Sequence, residues 1–249
     1  MKIDKNLSDK LLLQQFIADD SDIQKVERCR MIAESYATVE NSIAVLSDMK
    51  EDVSYIYYGG IADILGVGKK GACQTIPSIW EKEVLKFVYS SDMENKNIDE
   101  LQFFHFMKSI SRAERENYCL ISCIKMNTSK GIVPINHRIF YIVEDNDESI
   151  RFALCLYNIV SVYDPESYIF NTLNGEKISL DQKKIIDLLS LREKEILKLI
   201  EKGKLSKEIA QNLSISINTV NRHRQNILAK LRVQNSIEAC KIAGLLNMI

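Results

Sequence analysis

Asn221, Arg222 and Gln225 lie in the stretch Ser216–Leu231, S-I-N-T-V-N-R-H-R-Q-N-I-L-A-K-L. A primary amide offers a donor beside an acceptor, and a guanidinium offers a planar fork of donors. These are the side chains that pair with base edges in a DNA major groove. Asn221 and Gln225 are four residues apart, so on a helix they share a face, and Arg222 borders it. Asn218, Arg224 and Lys230 extend the polar side, and the stretch contains no acid. Val220, Ile227, Leu228 and Leu231 recur at helical spacing on the other side, with Ser216 placed to cap.

Such a helix needs a scaffold, and the residues before it predict one. Ser190 and Glu193 form a capping-box pair that opens a helix over Leu191–Lys202, with Ile196, Leu197 and Ile200 inward and Gly203 at its end. Ser206 is expected to cap a second helix, Lys207–Leu213, which turns Ile209, Ala210 and Leu213 inward. Ser214-Ile215-Ser216 makes a tight connection. A last helix from Ser236 to Leu246 is expected to present Ile237, Ala239, Ile242 and Leu245. Four short helices with converging stripes, two of them joined by a turn, predict a helix-turn-helix, and a small residue such as Ala210 lets those two helices approach.

The stretch L-S-L-R-E-K-E-I-L-K-L-I-E-K-G-K-L-S-K-E-I-A-Q-N-L-S-I-S-I-N-T-V-N-R-H-R-Q-N-I-L-A-K-L-R-V resembles the LuxR (GerE, FixJ) family of bacterial DNA-binding domains. Matching positions include Arg192-Glu193, Gly203, Lys207-Glu208-Ile209-Ala210, Leu213, Ser216, Thr219-Val220, His223, Ile227, Lys230-Leu231 and Val233. The resemblance implies that Asn221, Arg222 and Gln225 reach base edges. It implies that Ser216, Asn218, Thr219, His223 and Lys230 complete the DNA-binding set by touching phosphates or supporting the helix. Lys207, at a helix start, is expected to meet phosphate. Two positions depart from the family: Asn221 stands where Lys is common, and Arg232 where Gly is common. An amide in place of a cation predicts adenine in the bound site.

Charge separates this module from the rest. Residues 183–249 carry 13 Lys and Arg against 6 Asp and Glu, whereas the preceding residues carry 20 against 28. A basic module on an acidic body points to a polyanionic partner for the module alone. No apolar run nears the roughly 18 residues of a membrane span, and Met1–Asp9 lacks a signal-peptide core. A cytoplasmic protein with no membrane partner is expected. The six cysteines show no Cys-x-x-Cys spacing and read as reduced, mostly buried thiols. No cofactor is expected.

The acidic body reads as a helical start over 1–41, a mixed region over 42–162, and a hairpin with linker over 163–182. A capping pair Ser21/Gln24 opens a helix over 22–40 with Ile23, Val26, Ile32, Ala33, Tyr36 and Val39 on its stripe, suited to packing on its own domain or to forming a dimer. Strands follow at Ser42–Leu46 and Ser54–Tyr58, then short helices at Ile61–Leu65, 78–90 and 97–110. Three longer strands, Tyr118–Met126, Ile132–Val143 and Ser149–Val160, predict an antiparallel meander. Asn174-Gly175 marks a two-residue hairpin between Tyr168–Thr172 and Glu176–Ser179, and Asp181–Leu189 a connecting helix. This order of elements resembles the PAS sensor fold, with local matches S-I-A-V-L-S-D-M-K and I-A-D-I-L-G. The resemblance implies a cavity for a small molecule, or a dimer surface, between the strands and the segment carrying Trp80, Phe87, Phe104 and Phe106.

The expected fold class is α+β: a PAS-like antiparallel sheet with helices, followed by an all-α module of four helices over 183–249. The expected function is sequence-specific regulation of transcription, with double-stranded DNA, a second copy of the chain, a small-molecule ligand and RNA polymerase as partners. A sigma-factor-like promoter-recognition protein is the alternative, which the strand meander opposes. Residues 1–120 lack the alternating units and acid cluster of a receiver domain. The chain contains no P-loop, dinucleotide turn or nucleophile–base set, so an enzyme is not expected.

Overall fold

A computed structural model describes residues 7–8, 10–16, 22–129, 131–142, 149–180, 189–231, 233 and 235–245. The chain divides into two compact units, Ile3–Ser179 and Leu180–Ile249. The expected cap at Ser21, the turn Glu144–Glu148 and the body of the connecting helix lie outside the described residues.

The first unit is built on one eight-stranded antiparallel sheet: β1 Ile43–Asp48, β2 Val53–Tyr58, β3 Cys73–Ile76, β4 Tyr118–Thr128, β5 Gly131–Ile142, β6 Phe152–Ile159, β7 Tyr168–Asn171 and β8 Lys177–Ser179. The strand order is β3-β2-β1-β6-β5-β4-β7-β8. The meander β4–β5–β6 forms as expected, and β1 pairs with β6 to bring the first two strands into the same sheet. Register decides which side chains share a face. Ile56, Val45, Cys155, Ile139, Leu120 and Ile169 are cross-strand neighbours in one row, and all six are buried. Adjacent residues point to the opposite face, so both sides of the sheet must be covered.

Helix α1, Asp22–Val39, covers one side. Its contact stripe is Cys29, Ala33 and Ala37, packed on Leu46, Tyr57, Leu154 and Leu156, with Val26 and Ile32 partly buried. These small residues, four apart, let the helix lie close on the strands. The expected stripe is therefore corrected: Ile23, Tyr36 and Val39 are exposed, together with Met31. Gly59 explains how the chain passes here, because a Cβ would meet the carbonyl oxygens of Ala37 and Ser42 at 2.3 Å.

The other side is covered by α2 Ile61–Leu65, α3 Lys82–Leu85, α4 Ser90–Ser109 and α5 Arg112–Arg115. Phe103 of α4 stacks on Tyr141 with ring centroids 5.0 Å apart. The helix expected over 78–90 shrinks to one turn, because Pro77 and a run of bends precede it, and α4 begins earlier than expected. Strand β3 was not expected; it pairs with the edge of β2 and its face is largely exposed, so it carries no apolar alternation. Segment 10–16 is tied down by Gln14, whose amide donates to the Ile150 carbonyl and accepts from its N–H, both at 2.9 Å.

The hairpin β7–β8 extends the sheet through β4. Its loop is wider than the two residues expected: Asn171 accepts through its side chain from the N–H groups of Leu173 and Asn174, and its carbonyl accepts from Gly175 N–H. Among the described residues no helix is long and apolar enough to cross a membrane, and no group of three or more His, Cys, Asp or Glu could hold a metal. All six cysteines are free: Cys29, Cys119 and Cys155 are buried, Cys123 and Cys240 half-buried, and Cys73 is exposed.

Within the strand core, Arg151 bonds both oxygens of Asp48 at 3.1 and 3.0 Å, and both side chains are buried. Removing one partner strands a charge in a dry site, at about 3–5 kcal/mol. Asp48→Ala is expected to lose stability on that scale, while Asp48→Ala with Arg151→Met recovers a substantial part of it. Denaturant unfolding of the full chain, with hydrogen exchange on strand peptides, reads both.

Candidate nucleic-acid interface

The second unit contains α6 Leu191–Glu201, α7 Ser206–Asn212, α8 Ile217–Leu231 and α9 Ser236–Leu245. Their inward residues make one core of Leu189, Ile196, Leu197, Ile209, Ala210, Val220, Ile227, Leu231, Ala239, Ile242 and Ala243. Ile237 is exposed rather than inward, since Ala239, Ile242 and Ala243 already set the buried face of α9. The side chain of Leu245 and residue Arg232 lie outside the described residues.

Helix α6 opens with the expected capping box: Ser190 Oγ accepts from Glu193 N–H at 3.2 Å, and Glu193 Oε2 accepts from Ser190 N–H at 2.7 Å. It ends before Gly203, whose φ of 77° is the left-handed conformation that glycine adopts without strain. The cap of α7 differs from expectation. Leu205 precedes the helix, its N–H donates to Glu208 Oε2 at 2.8 Å, and Ser206 is the first helical residue. Ala210 is buried at the base of the turn, where its carbonyl accepts from Ile215 N–H at 3.0 Å. Ser214 turns the chain at φ 51°. Ser216 Oγ then accepts from Thr219 N–H at 3.0 Å and contacts the Thr219 hydroxyl at 2.8 Å, capping α8.

The polar residues of α8 fall into two groups. Asn218, Asn221, Arg222 and Gln225 share one exposed stripe, and among the described residues none has an intramolecular hydrogen-bond partner. Lys207 at the start of α7 is exposed and equally uncommitted. Helix α8 has no acid in its first turn, so its positive end is unopposed.

Lys230 and Arg224 are committed inward, whereas Asn226 is exposed and has no side-chain hydrogen-bond partner among the described residues. Lys230 Nζ donates to Glu193 Oε2 at 2.7 Å. Arg224 donates to Ser206 Oγ at 3.1 Å and Ser236 Oγ at 3.0 Å, joining α7, α8 and α9. His223 is half-buried, and its Nδ1 is enclosed without a hydrogen-bond partner among the described residues. Sequence reasoning placed Lys230 among DNA-contacting or supporting groups and missed the brace at Arg224. Arg192 was noted only as a match to the family. It donates to Glu195 and to the Leu213 carbonyl, each at 2.8 Å, and so closes the C-terminal end of α7.

A compact helix-turn-helix unit with an uncommitted polar stripe on its second helix is thus defined. The sequence profile of bacterial regulatory proteins of the luxR family matches residues 187–243, and this part of the chain is a luxR-type helix-turn-helix domain. The uncharacterized response regulatory protein YgeK of Escherichia coli is 53% identical over 55 residues, covering 22% of this chain and 37% of that protein. The transcriptional regulatory protein DesR of Bacillus subtilis is 55% identical over 51 residues, covering 20% and 26%. The response regulator protein VraR of Staphylococcus epidermidis is 38% identical over 93 residues, covering 37% and 43%. The chain spans less than half the length of these curated relatives. Among solved structures, a phage VqmA–DPO complex gives a TM-score of 0.31 at 12% identity over 92% of each chain. A Vibrio cholerae VqmA dimer gives 0.29 at 14% identity over 90% and 88%. Superpositions this loose carry no weight for either unit.

Glu193 yields a pH test. Burial by itself would raise its carboxyl, but hydrogen bonds from Lys230 and from the Ser190 N–H and hydroxyl outweigh that and hold it below the usual carboxylate range. A lowered folded value means the stabilisation is present above the ordinary value of 4.5 and is lost as pH falls through the folded one. Hydrogen-exchange protection of α6 and α8 is expected to decline below that pH in the wild type. Glu193→Ala is expected to lower it at neutral pH by about 1–2 kcal/mol and to remove most of the acid dependence.

Proposed function

We propose that the chain is a transcriptional regulator in which residues 183–249 bind double-stranded DNA and the first unit, with its PAS-like core over 42–162, senses a small molecule and pairs two copies. The observation that carries this reading is the division of α8. Its structural duties fall to Arg224, Lys230 and Ser216, which leaves Asn218, Asn221, Arg222 and Gln225 free to meet base edges. Lys207 and the unopposed start of α8 would hold phosphates on either side. The PAS-like reading is supported by two strands, a helical run and a three-strand meander gathered in a single sheet, with α4 laid across the same face as the expected cavity.

The pairing surface we assign is the outward side of α1. Met31 and Val39 are 60% and 80% exposed and line one groove with Ile32 and Tyr36, and an exposed apolar surface of this kind is typically covered by a partner. One helix-turn-helix domain offers limited contact area, so two copies on related half-sites supply the missing affinity.

Two experiments test the reading. In a selected-site experiment, the full chain is expected to enrich sites with adenine under α8, and Asn221→Ala to erase that preference at one base pair at a cost of about 1–3 kcal/mol. No adenine enrichment, or enrichment that persists in the variant, would sink the base-reading role. Met31→Glu with Val39→Glu is expected to convert a dimer to a monomer by light scattering and to weaken binding to a two-half-site operator more than to a single half-site.

A further inference from the structure

Of the aromatic residues expected around a cavity on the α4 side of the sheet, only Trp80 lines the space found there, which is about 30 Å³. The outward side of α1 carries a far larger groove, of about 390 Å³. Arg28, Ile32, Ser35 and Val39 follow one another along it at spacings of four, three and four residues, the repeat of a coiled-coil seam. Met31 and Tyr36 flank that row, and all six line the groove. The row lies away from Cys29, Ala33 and Ala37, which hold the helix to its own sheet.

Three features make this row complementary to itself. Ser35, the small residue at its middle, donates its hydroxyl to the Met31 carbonyl at 2.7 Å, so it can be covered without orphaning a polar group. Arg28, at one end of the groove, is exposed and has no hydrogen-bond or ion-pair partner among the described residues. Glu40, at the other end, accepts from Arg138 with its side chain still 30% exposed, and a carboxylate has room for a second donor. A groove with a cation at one end and an acid at the other is matched by a copy of itself running the opposite way. A parallel copy would instead set Arg28 against Arg28, and like charges in contact repel.

We propose that two copies of the chain pair through α1 in antiparallel register, with Arg28 against the partner's Val39, Ile32 against the partner's Ser35 and Met31 against the partner's Tyr36. Each contact then occurs twice about a two-fold axis, as an isologous interface requires. The Arg28 stem lies along the partner's Val39 while its guanidinium reaches the partner's Glu40. The Met31 sulfur meets the partner's Tyr36 ring, a favourable contact in its own right, and Ile32 fills the space over the partner's Ser35. This rests on the pairing role proposed above for α1 and gives it a direction and a register.

Sedimentation of the full chain over a concentration series reads dimer affinity, and circular dichroism checks that each variant is folded. Arg28→Glu and Val39→Lys, both at exposed positions, are each expected to weaken the dimer about tenfold. Combined in one chain, they set opposite charges against each other only in the antiparallel register. The double variant is therefore expected to pair about threefold or more tighter than either single one; in a parallel pair it would set like charges together and pair more weakly. Oxidative cross-linking gives a second reading in a Cys73→Ser background, which removes the exposed thiol. Met31→Cys with Tyr36→Cys is expected to form covalent dimers, and neither substitution alone to do so. Five residues apart on one helix, the two thiols are too distant to close on each other. Cross-linking by either single variant, or a double charge variant no tighter than the single ones, overturns the proposal. A dimer that Met31→Glu with Val39→Glu still breaks then leaves the broader pairing role of α1 standing. A wild-type chain that is monomeric at every concentration overturns both.

Discussion

One buried carboxylate governs the geometry of the second unit. Glu193 accepts from the backbone where α6 begins and from Lys230 where α8 ends. The two contacts fix the far end of α8 against the start of α6, while Ser216 caps its near end and the Ala210 carbonyl, accepting from Ile215 N–H, ties the turn before it to α7. Arg224 sits between them and ties its own helix to both neighbours. Burying these groups is tolerable because each polar atom has a partner, and a helix pinned at three points presents its outer stripe in a defined orientation. The core of this unit is small, so polar bracing does what apolar area alone would do in a larger domain.

The first unit meets the opposite problem. Its sheet is covered on both sides, and the two faces are built differently. Against α1 the contacts are small and apolar, with Ala33 and Ala37 allowing close approach. Against α4 the same sheet carries Ser47, Ser122, His137, Tyr141 and Tyr157 among its aliphatic rows. His137 is fully buried, with its Nδ1 3.3 Å from the Ser122 hydroxyl, and burial pushes its pKa well below the ordinary value, helped by the charge of Lys96. It therefore stays neutral.

The sequence made the second unit legible because its signals are local. Caps, helical spacing and turn residues lie within a few positions of one another, and the expected helices α6 and α8 agree with the structure to within a residue. The meander β4–β5–β6 was legible for the same reason. What the sequence did not disclose depends on tertiary placement. Strand β3 is short and exposed on both sides of its pleat, so no alternation marks it. The stripe of α1 was misread because Ile23, Tyr36 and Val39 look like core by residue type, while the true contact is made by Cys29, Ala33 and Ala37. Within the interface, Arg222 and Arg224 are chemically identical and two residues apart. Only the positions of Ser206 and Ser236, 18 and 12 residues away, reveal that the second of them is a brace.

That distinction bears on how such a helix can change specificity without losing its fold. Substitutions at Asn218, Asn221, Arg222 or Gln225 remove no internal hydrogen bond, so the stripe can vary freely while the scaffold stays fixed. Substitutions at Arg224, Glu193 or Lys230 would disturb the orientation of every residue on the stripe at once. An amide at position 221 therefore leaves the way α8 is held unchanged, and under the proposed reading it alters only what the helix would meet on DNA. A lysine there would attract any phosphate or guanine edge within reach, whereas an amide needs a matched donor and acceptor, which adenine presents in the major groove. Under the proposed DNA-binding reading, the exchange gives up charge-driven affinity for geometric selectivity, and pairing two copies on related half-sites would restore it.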